Sequence, residues 1–147
     1  MTGVQTCALP ISDVNQIFVQ DVYTPAIQGY INLRFVNAVL TDSAVTTTGT
    51  TTVDLFSYAR NTTVFTKIRP DSVTAFSLLG NNISVADTFY VTRTLATGAP
   101  ATTPLSGRVV LAKLAIAPLN QRTYTLYYRG DATVSTSKTK TLISYVH

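Results

Sequence analysis

The stretch DTFYVTRTLA (87–96) carries the alternation that decides the fold. Its apolar side chains share one face of an extended chain, namely Phe89, Val91 and Leu95. Hydroxyl groups line the opposite face, on Thr88, Tyr90, Thr92 and Thr94. Side chains alternate between the two faces of a β-strand, so this pattern predicts a strand with one apolar and one polar face. Such strands are typical of antiparallel sheets that cover a core on one side.

Comparable stretches, rich in β-branched and aromatic residues and bounded by turn residues, follow along the chain. The eight candidate strands are INLRFVNAV (31–39), TVDLFSYA (52–59), TVFTKI (63–68), VTAFSLL (73–79), DTFYVTRTLA (87–96), GRVVLAKLAIA (107–117), RTYTLYYR (122–129) and KTLISYV (140–146). The segment IFVQDVY (17–23) is a candidate ninth strand. The stretch 107–117 also fits a short helix, but its Val pair and the flanking Gly and Pro favour a buried strand.

This succession of short strands predicts an all-β fold, an immunoglobulin-like antiparallel β-sandwich of about seven to nine strands. A closed barrel is the alternative. We interpret residues 31–147 as a single β-sandwich domain and residues 13–30 as a lead-in segment or edge strand. Two Thr-, Gly- or Pro-rich stretches, 41–52 and 96–107, are predicted to be surface loops.

The first residues, MTGVQTCALPIS (1–12), have a different origin in our interpretation. They lack the basic start and apolar run of a secretory signal. Residues 1–11 resemble an in-frame translation of a widely used sequencing adapter, with a GTG start read as Met. We therefore exclude 1–12 from the fold as a non-native segment, and the sole Cys and sole Met are excluded with it.

Composition and charge argue against several classes of function. The net charge of +4 comes from dispersed basic residues, whereas nucleic-acid binding usually shows a basic stripe. No apolar run reaches the roughly 20 residues of a membrane-spanning helix, so we expect no direct membrane insertion. We expect no nucleic-acid partner either, and the oligomeric state stays open.

The residues offer little catalytic chemistry. His147 is the only His, so a Ser-His-Asp arrangement lacks a plausible base. The residues beyond 12 contain no Cys, and neither a metal-ligand set nor a phosphate-binding loop is evident. All seven acids are Asp, and most fall near strand ends or in loops, where Asp serves turns. We predict a non-enzyme without cofactor or metal, and keep a paired-Asp enzyme as a rival.

Asp54 is the exception among the acids, because it lies inside the predicted VDLF strand. We interpret it as a wet-face or edge residue that hydrogen-bonds a neighbouring loop, with ligand binding or catalysis as the alternatives. Tyr90 and Tyr127 lie on the Thr-rich faces of their strands and are candidate stacking residues for a glycan. Cross-strand Tyr–Thr packing is the plainer interpretation. Tyr124 is predicted to form a tyrosine corner, in which its hydroxyl bonds the upstream backbone.

Three groups of residues together resemble a known family. LRFVNA (33–38) is followed by VDLFS (53–57), and RTYTLYYRG (122–130) comes later, before the terminal TLISYVH. In this order they resemble the bacterial family called domain of unknown function 4397. The longer VLTDSAVTTTGTTT (39–52) replaces the family's usual short link. The resemblance implies an immunoglobulin-like sandwich in secreted or surface-anchored proteins, as in Bacteroidota lipoproteins, and it implies no established activity.

From this resemblance we expect an extracytoplasmic module of a cell-envelope protein, in the periplasm or at the cell surface. Its role would be structural or binding. The alternative is a carbohydrate- or partner-binding adhesin domain that uses a sheet face or the loops 41–52 and 96–107 to hold a glycan or another envelope protein. Arg129, Gly130 and Asp131 form the tripeptide that integrins recognise, although Arg-Gly also closes the strand in the resembled family.

Overall fold

The computed structural model describes residues 25–39, 52–80, 86–130 and 140–147, and these form an all-β sandwich of two packed sheets. The predicted fold class is therefore confirmed. The strands are β1 (Tyr30–Asn37), β2 (Val53–Ser57), β3 (Thr62–Ile68), β4 (Ser72–Val73), β5 (Ser77–Gly80), β6 (Asp87–Arg93), β7 (Val110–Ile116), β8 (Thr123–Arg129) and β9 (Thr141–Val146). One turn of 3-10 helix covers Leu105–Gly107. The candidate strand 17–23 and the segment 1–12 lie outside the described residues.

The chain passes repeatedly between the two sheets. The first sheet has the order β4-β1-β8-β9, with β5 also paired to β1, and the second has the order β3-β2-β6-β7. Every pairing is antiparallel except β1–β8, which is parallel and aligns Phe35 with Leu126. Parallel strands are usually buried on both faces. Accordingly, every residue of β1 after Tyr30 is buried.

Apolar side chains from both sheets fill the space between them. The fully buried members come from the central strands and include Leu33, Phe35, Leu55, Phe89, Val91 and Leu126. The burial of apolar area is the main driving force for folding. This apolar layer therefore holds the two sheets together, and the polar features described below are positioned on those sheets. No helix in the described ranges is long and apolar enough to cross a membrane.

The predicted strand 73–79 is divided into β4 and β5. Thr74 lies between them and donates its N–H to Phe35 O at 2.9 Å. The Phe35 N–H in turn donates to the Thr74 side-chain Oγ1 at 2.9 Å, in place of a backbone carbonyl. A side-chain oxygen that accepts from a backbone N–H competes with the regular backbone hydrogen bonds of the sheet. The predicted strand is therefore interrupted at Thr74.

The turn before β8 forms the predicted tyrosine corner. Tyr124 is buried, and its hydroxyl accepts a hydrogen bond from the Leu119 N–H at 2.7 Å. The same turn is tied to the start of β1, because Asn120 Oδ1 accepts from the Gly29 N–H at 2.8 Å. The stretch 107–117 forms the strand β7 at Val110–Ile116, but none of the residues of β7 is fully buried, so the prediction of a buried strand was wrong in this respect, because β7 is the last described strand of the second sheet.

The outer face of each sheet is the face directed away from the other sheet. This face is buried along β1 after Tyr30 and at Thr123 and Thr125 of β8, contrary to the simple alternation argument, whereas Tyr127 is half-buried and Arg129 is exposed. Arg34 is 6% exposed and donates from Nε to Thr125 Oγ1 at 2.9 Å. His147 Nε2 lies 2.8 Å from the same hydroxyl. The polar side chains are accommodated because they bond one another, as buried polar groups must.

Candidate functional site

Asp54 projects from the outer face of the second sheet and is only 2% exposed. Its Oδ1 accepts hydrogen bonds from Thr66 Oγ1 at 3.0 Å, the Lys67 N–H at 2.9 Å and Thr94 Oγ1 at 2.9 Å. Its Oδ2 accepts from the Leu95 N–H at 3.3 Å. Asp54 therefore bonds the neighbouring loop as predicted, but it does so from a buried position and not from a wet face.

Asp54 fixes an irregularity in the neighbouring strand. Lys67 has a φ of 56°, in the left-handed region that non-glycine residues rarely adopt. The β2–β3 register shifts between Val53 and Leu55, which marks a β-bulge around this point. The bond from the Lys67 N–H to Asp54 offsets part of the backbone strain, about 1–2 kcal/mol for such a residue.

Arg108 fixes the loop that follows β6. Its Nε donates to Thr103 O at 2.8 Å, and its Nη2 donates to Thr63 Oγ1 and to Ala101 O, both at 2.9 Å. Thr63 also donates its N–H to Ala101 O at 3.0 Å. A single buried guanidinium thus joins the loop to β3. The predicted surface loop 96–107 is held against the outer face of the second sheet.

The Arg108 guanidinium lies between an aromatic ring and a carboxylate. Its central carbon is 4.5 Å from the centroid of the Phe56 ring, a cation–π distance. Its Nη1 is 3.8 Å from Asp54 Oδ2, an ion pair without a direct hydrogen bond. Burial lowers the pKa of the Arg108 guanidinium from its ordinary value, while the Asp54 carboxylate raises it. The Arg108 guanidinium and the Asp54 carboxylate therefore form a pair of opposite charges on the outer face of the second sheet, where the loop after β6 covers them.

A cavity of about 260 Å³ lies beside this pair. It is bounded by β2, β3 and the start of the loop after β6, and we call it the Asp54 cavity. Its lining residues are Asp54, Thr63, Val64, Thr66, Lys67, Leu95, Ala96, Thr97, Gly98, Ala99 and Ala101. Gly98 has a φ of 88°, and the Ala99 N–H donates to Ala96 O at 3.1 Å, so a tight turn forms the rim.

Asp87 fastens the other end of the β2–β3 hairpin. Its carboxylate accepts from Ser57 Oγ at 2.6 Å and from the Ala59 N–H at 3.0 Å, and it pairs with Arg60. Arg60 also donates to Gly80 O. Asp87 is 1% exposed and shares its face with the core residue Phe89, whereas Asp54 lies on the outer face. These two buried carboxylates therefore do not converge on one site.

The two candidate tyrosines lie on opposite sides of the sandwich. Tyr90 is on the outer face of the second sheet, and Tyr127 is on the outer face of the first. Both are half-buried, and they cannot contribute to one stacking platform. Tyr90 instead contacts Tyr58, with ring centroids 6.2 Å apart. Tyr58 is 62% exposed and lies in the turn after β2, although the predicted strand 52–59 included it.

The remaining predicted elements are only partly described. Arg129 ends β8 and is exposed, and Gly130 follows with a φ of 134°, while Asp131 lies outside the described residues. Of the loop 41–52, only Thr52 is described. Within the described ranges, no group of three or more His, Cys, Asp or Glu residues could hold a metal ion.

Sequence reasoning identified Asp54 and the loop 96–107 separately, and the structure brings them together at one cavity. It missed Lys67 and Arg108. Nothing in the local sequence marks either one, since Lys67 becomes unusual only through its bulge and Arg108 only through contacts made across the fold. A charged residue inside VDLF was the one available signal that a buried partner had to exist.

The fold and this cavity define a two-sheet β-sandwich with a loop-capped polar recess on the second sheet. Comparisons with protein-family models, with curated proteins and with solved structures find no match to this chain.

Proposed function

We propose that this chain is a non-catalytic β-sandwich module of a bacterial cell-envelope protein, located outside the cytoplasm, and that it acts by binding. The observation that carries the proposal is the Asp54 cavity, which is formed by a loop fastened to a rigid sheet. Ligand sites in proteins are commonly such preformed recesses, carried by loops on a rigid scaffold. The resemblance to the domain of unknown function 4397 family supports the setting.

The hydrogen bonds of Asp54 favour a role in binding over a role in catalysis. Its carboxylate accepts four hydrogen bonds from two hydroxyls and two backbone amides. Three of these bonds occupy Oδ1, and Oδ2, which accepts the fourth, also faces the Arg108 guanidinium at 3.8 Å, so both oxygens are engaged by this chain's own groups. A general base needs a free lone pair within hydrogen-bond reach of the proton that it abstracts. Asp54 is suited to shaping the cavity wall.

The proposal is tested by binding and by fractionation. We expect the purified chain to bind at least one envelope polysaccharide or cell-surface protein. Arg108→Met, which removes the bonds that hold the loop, should weaken that binding at least tenfold while the domain stays folded by circular dichroism. The tagged full-length gene product should appear outside the cytoplasm. Retention in the cytoplasmic fraction, or equal binding by wild type and Arg108→Met, would contradict the proposal.

A second candidate is a carbohydrate-binding face centred on Tyr58 and Tyr90. The two rings lie 6.2 Å apart, and Tyr58 is largely exposed, so a sugar ring could stack on it. A glycan array separates the two candidates. Loss of binding in the Tyr58→Ala/Tyr90→Ala double variant, with full binding by Tyr127→Ala, favours the aromatic face. Loss in Arg108→Met alone favours the cavity.

A further inference from the structure

The charge balance of the Asp54 cavity favours an anionic ligand. Of its described lining residues, Asp54 and Lys67 are the ones that carry charge. The Asp54 charge is already compensated by four hydrogen bonds and by the buried Arg108 at 3.8 Å. Lys67 is exposed to solvent. Among the described residues, no acidic group pairs with the Lys67 ammonium, so this positive charge at the cavity attracts an anion.

The backbone presents Lys67 to the cavity in an unusual way. Thr66 and Lys67 are adjacent in β3, yet both line the cavity. In a regular strand, successive side chains point to opposite faces, whereas the bulge and the left-handed conformation of Lys67 turn its backbone N–H towards Asp54 at the cavity wall. Strain of this kind persists where the surroundings enforce it, and it concentrates at functional sites.

The uncharged part of the lining suits a compound with several hydroxyl groups. Thr66 Oγ1 donates its proton to Asp54, and Thr63 Oγ1 donates its proton to Ala101 O. Thr66 Oγ1 therefore offers its lone pairs to a ligand O–H, and Thr63 Oγ1, which also accepts from Arg108 Nη2, offers one remaining lone pair. Val64 and Leu95 add apolar surface for ring C–H groups. A bare inorganic anion would use the lysine but would leave the remaining lone pairs of the two threonine oxygens unused.

The volume limits the size of the ligand. Pockets for small molecules usually span about 300–1,000 Å³, and the Asp54 cavity, at about 260 Å³, lies just below that range. One sugar-sized ring matches it better than a peptide or an oligosaccharide. We propose that the Asp54 cavity binds a single carboxylate-bearing sugar unit, with Lys67 contacting the carboxylate and Thr63 and Thr66 accepting from the hydroxyls. This inference rests on the proposed binding function.

The test is a calorimetric titration of the whole chain with three probes. D-glucuronate carries both the carboxylate and the hydroxyls, D-glucose carries only the hydroxyls, and propionate carries only the carboxylate. We expect glucuronate to bind at least tenfold more tightly than either of the others. Lys67→Asn, which keeps a residue tolerant of the left-handed region, should remove that preference, while Lys67→Arg should retain it. Lys113→Asn, an exposed lysine of β7 outside the cavity, is the matched control and should bind as wild type does.

Each contrary result has its own meaning. Equal affinity for glucuronate and glucose, or an unchanged preference in Lys67→Asn, overturns the role of Lys67 and the acidic class of ligand. Propionate binding as tight as glucuronate binding overturns the sugar assignment. If no probe binds, the inference fails, whereas the broader binding function fails only when the polysaccharide and surface-protein assays are also negative.

Discussion

At the scale of single residues, the decisive feature is that Asp54 and Arg108 are buried together. They lie on a sheet face that the alternation of side chains in the sequence predicts to be exposed to solvent. Removing one partner of a buried ion pair is costly because it leaves the other charge uncompensated. Asp54→Asn would also set an amide N–H₂ against the donors at one of the two carboxylate positions, because Lys67 donates to Oδ1 and Leu95 donates to Oδ2. The Asp54 carboxylate therefore stabilises the fold locally rather than standing free for chemistry.

We expect Asp54→Asn to lower the free energy of unfolding by about 3 kcal/mol, in line with broken buried pairs. The measurement is urea denaturation followed by circular dichroism. Asp71→Asn is the matched control, since Asp71 is exposed and its φ of 52° suits Asn. An exposed ion pair contributes at most about 1 kcal/mol, so the control should change little. Similar losses in both variants would show that Asp54 has no special role.

A substitution at Lys67 is predicted to raise the free energy of unfolding, in contrast to Asp54→Asn. Glycine adopts a positive φ without steric cost, so Lys67→Gly should relieve backbone strain and raise the free energy of unfolding by up to about 1 kcal/mol. Lys113→Gly, within the regular strand β7, should instead lower the free energy of unfolding by about 0.5–1 kcal/mol. Denaturation curves of both variants decide the matter. Destabilisation by both would mean that the Lys67 side chain contributes more than its backbone strain costs.

The residue scale is also where sequence reasoning reached its limit. Asp54 could be singled out because a charged residue interrupts an apolar strand pattern, and an isolated buried charge is too costly to leave unpaired. Its partner could not be predicted, because Arg108 reaches it only after the loop folds back over the sheet. Such contacts depend on tertiary geometry that no local pattern encodes.

At the scale of elements, the strands were predictable wherever side chains alternated between a core and a polar face. The strand β6 follows this rule at Phe89 and Val91, which lie in the core, but Thr92 on the predicted polar face is fully buried. Leu95, predicted for the apolar face, lies beyond the end of β6 and lines the Asp54 cavity. The division of 73–79 was not predictable, because it depends on the Thr74 hydroxyl accepting from the backbone of β1. The corner at Tyr124 was predictable, since a turn of Pro, Leu, Asn and Gln precedes a late strand that begins near a tyrosine.

The tyrosine corner gives the prediction at this scale. Tyr124→Phe keeps the buried ring but leaves the Leu119 N–H without its acceptor. We expect the free energy of unfolding to fall by about 1–2 kcal/mol, since an orphaned donor costs that much. Tyr127→Phe, on the half-buried outer face, should cost less than about 0.5 kcal/mol. Thermal and urea denaturation measure both, and equal costs would contradict the corner's role.

At the scale of the whole molecule, the two-layer sandwich was predictable from strand count and patterning, but the order of strands was not. The parallel β1–β8 pair joins residues about ninety positions apart in sequence, for example Leu33 with Tyr124. Its register depends on which strands meet across the core, and alternation alone does not specify that. Among the strands of the described ranges, this order places β1, β8, β2 and β6 inside their sheets and leaves β3, β7 and β9 at edges.

This arrangement predicts a graded pattern of backbone protection. The amides of β1 and β8 lie between paired neighbours under a buried layer, whereas β9 pairs with β8 alone among the described strands, and most of its residues are exposed. Local opening should therefore cost least at β9 and most at the central strands. Native-state hydrogen exchange read by mass spectrometry should show β1 and β8 exchanging at least tenfold more slowly than β9, with β2 and β6 similarly slower than β3 and β7. If β9 were as protected as β8, its outer edge would have to be paired by another strand, and β9 would not be the last strand of the first sheet.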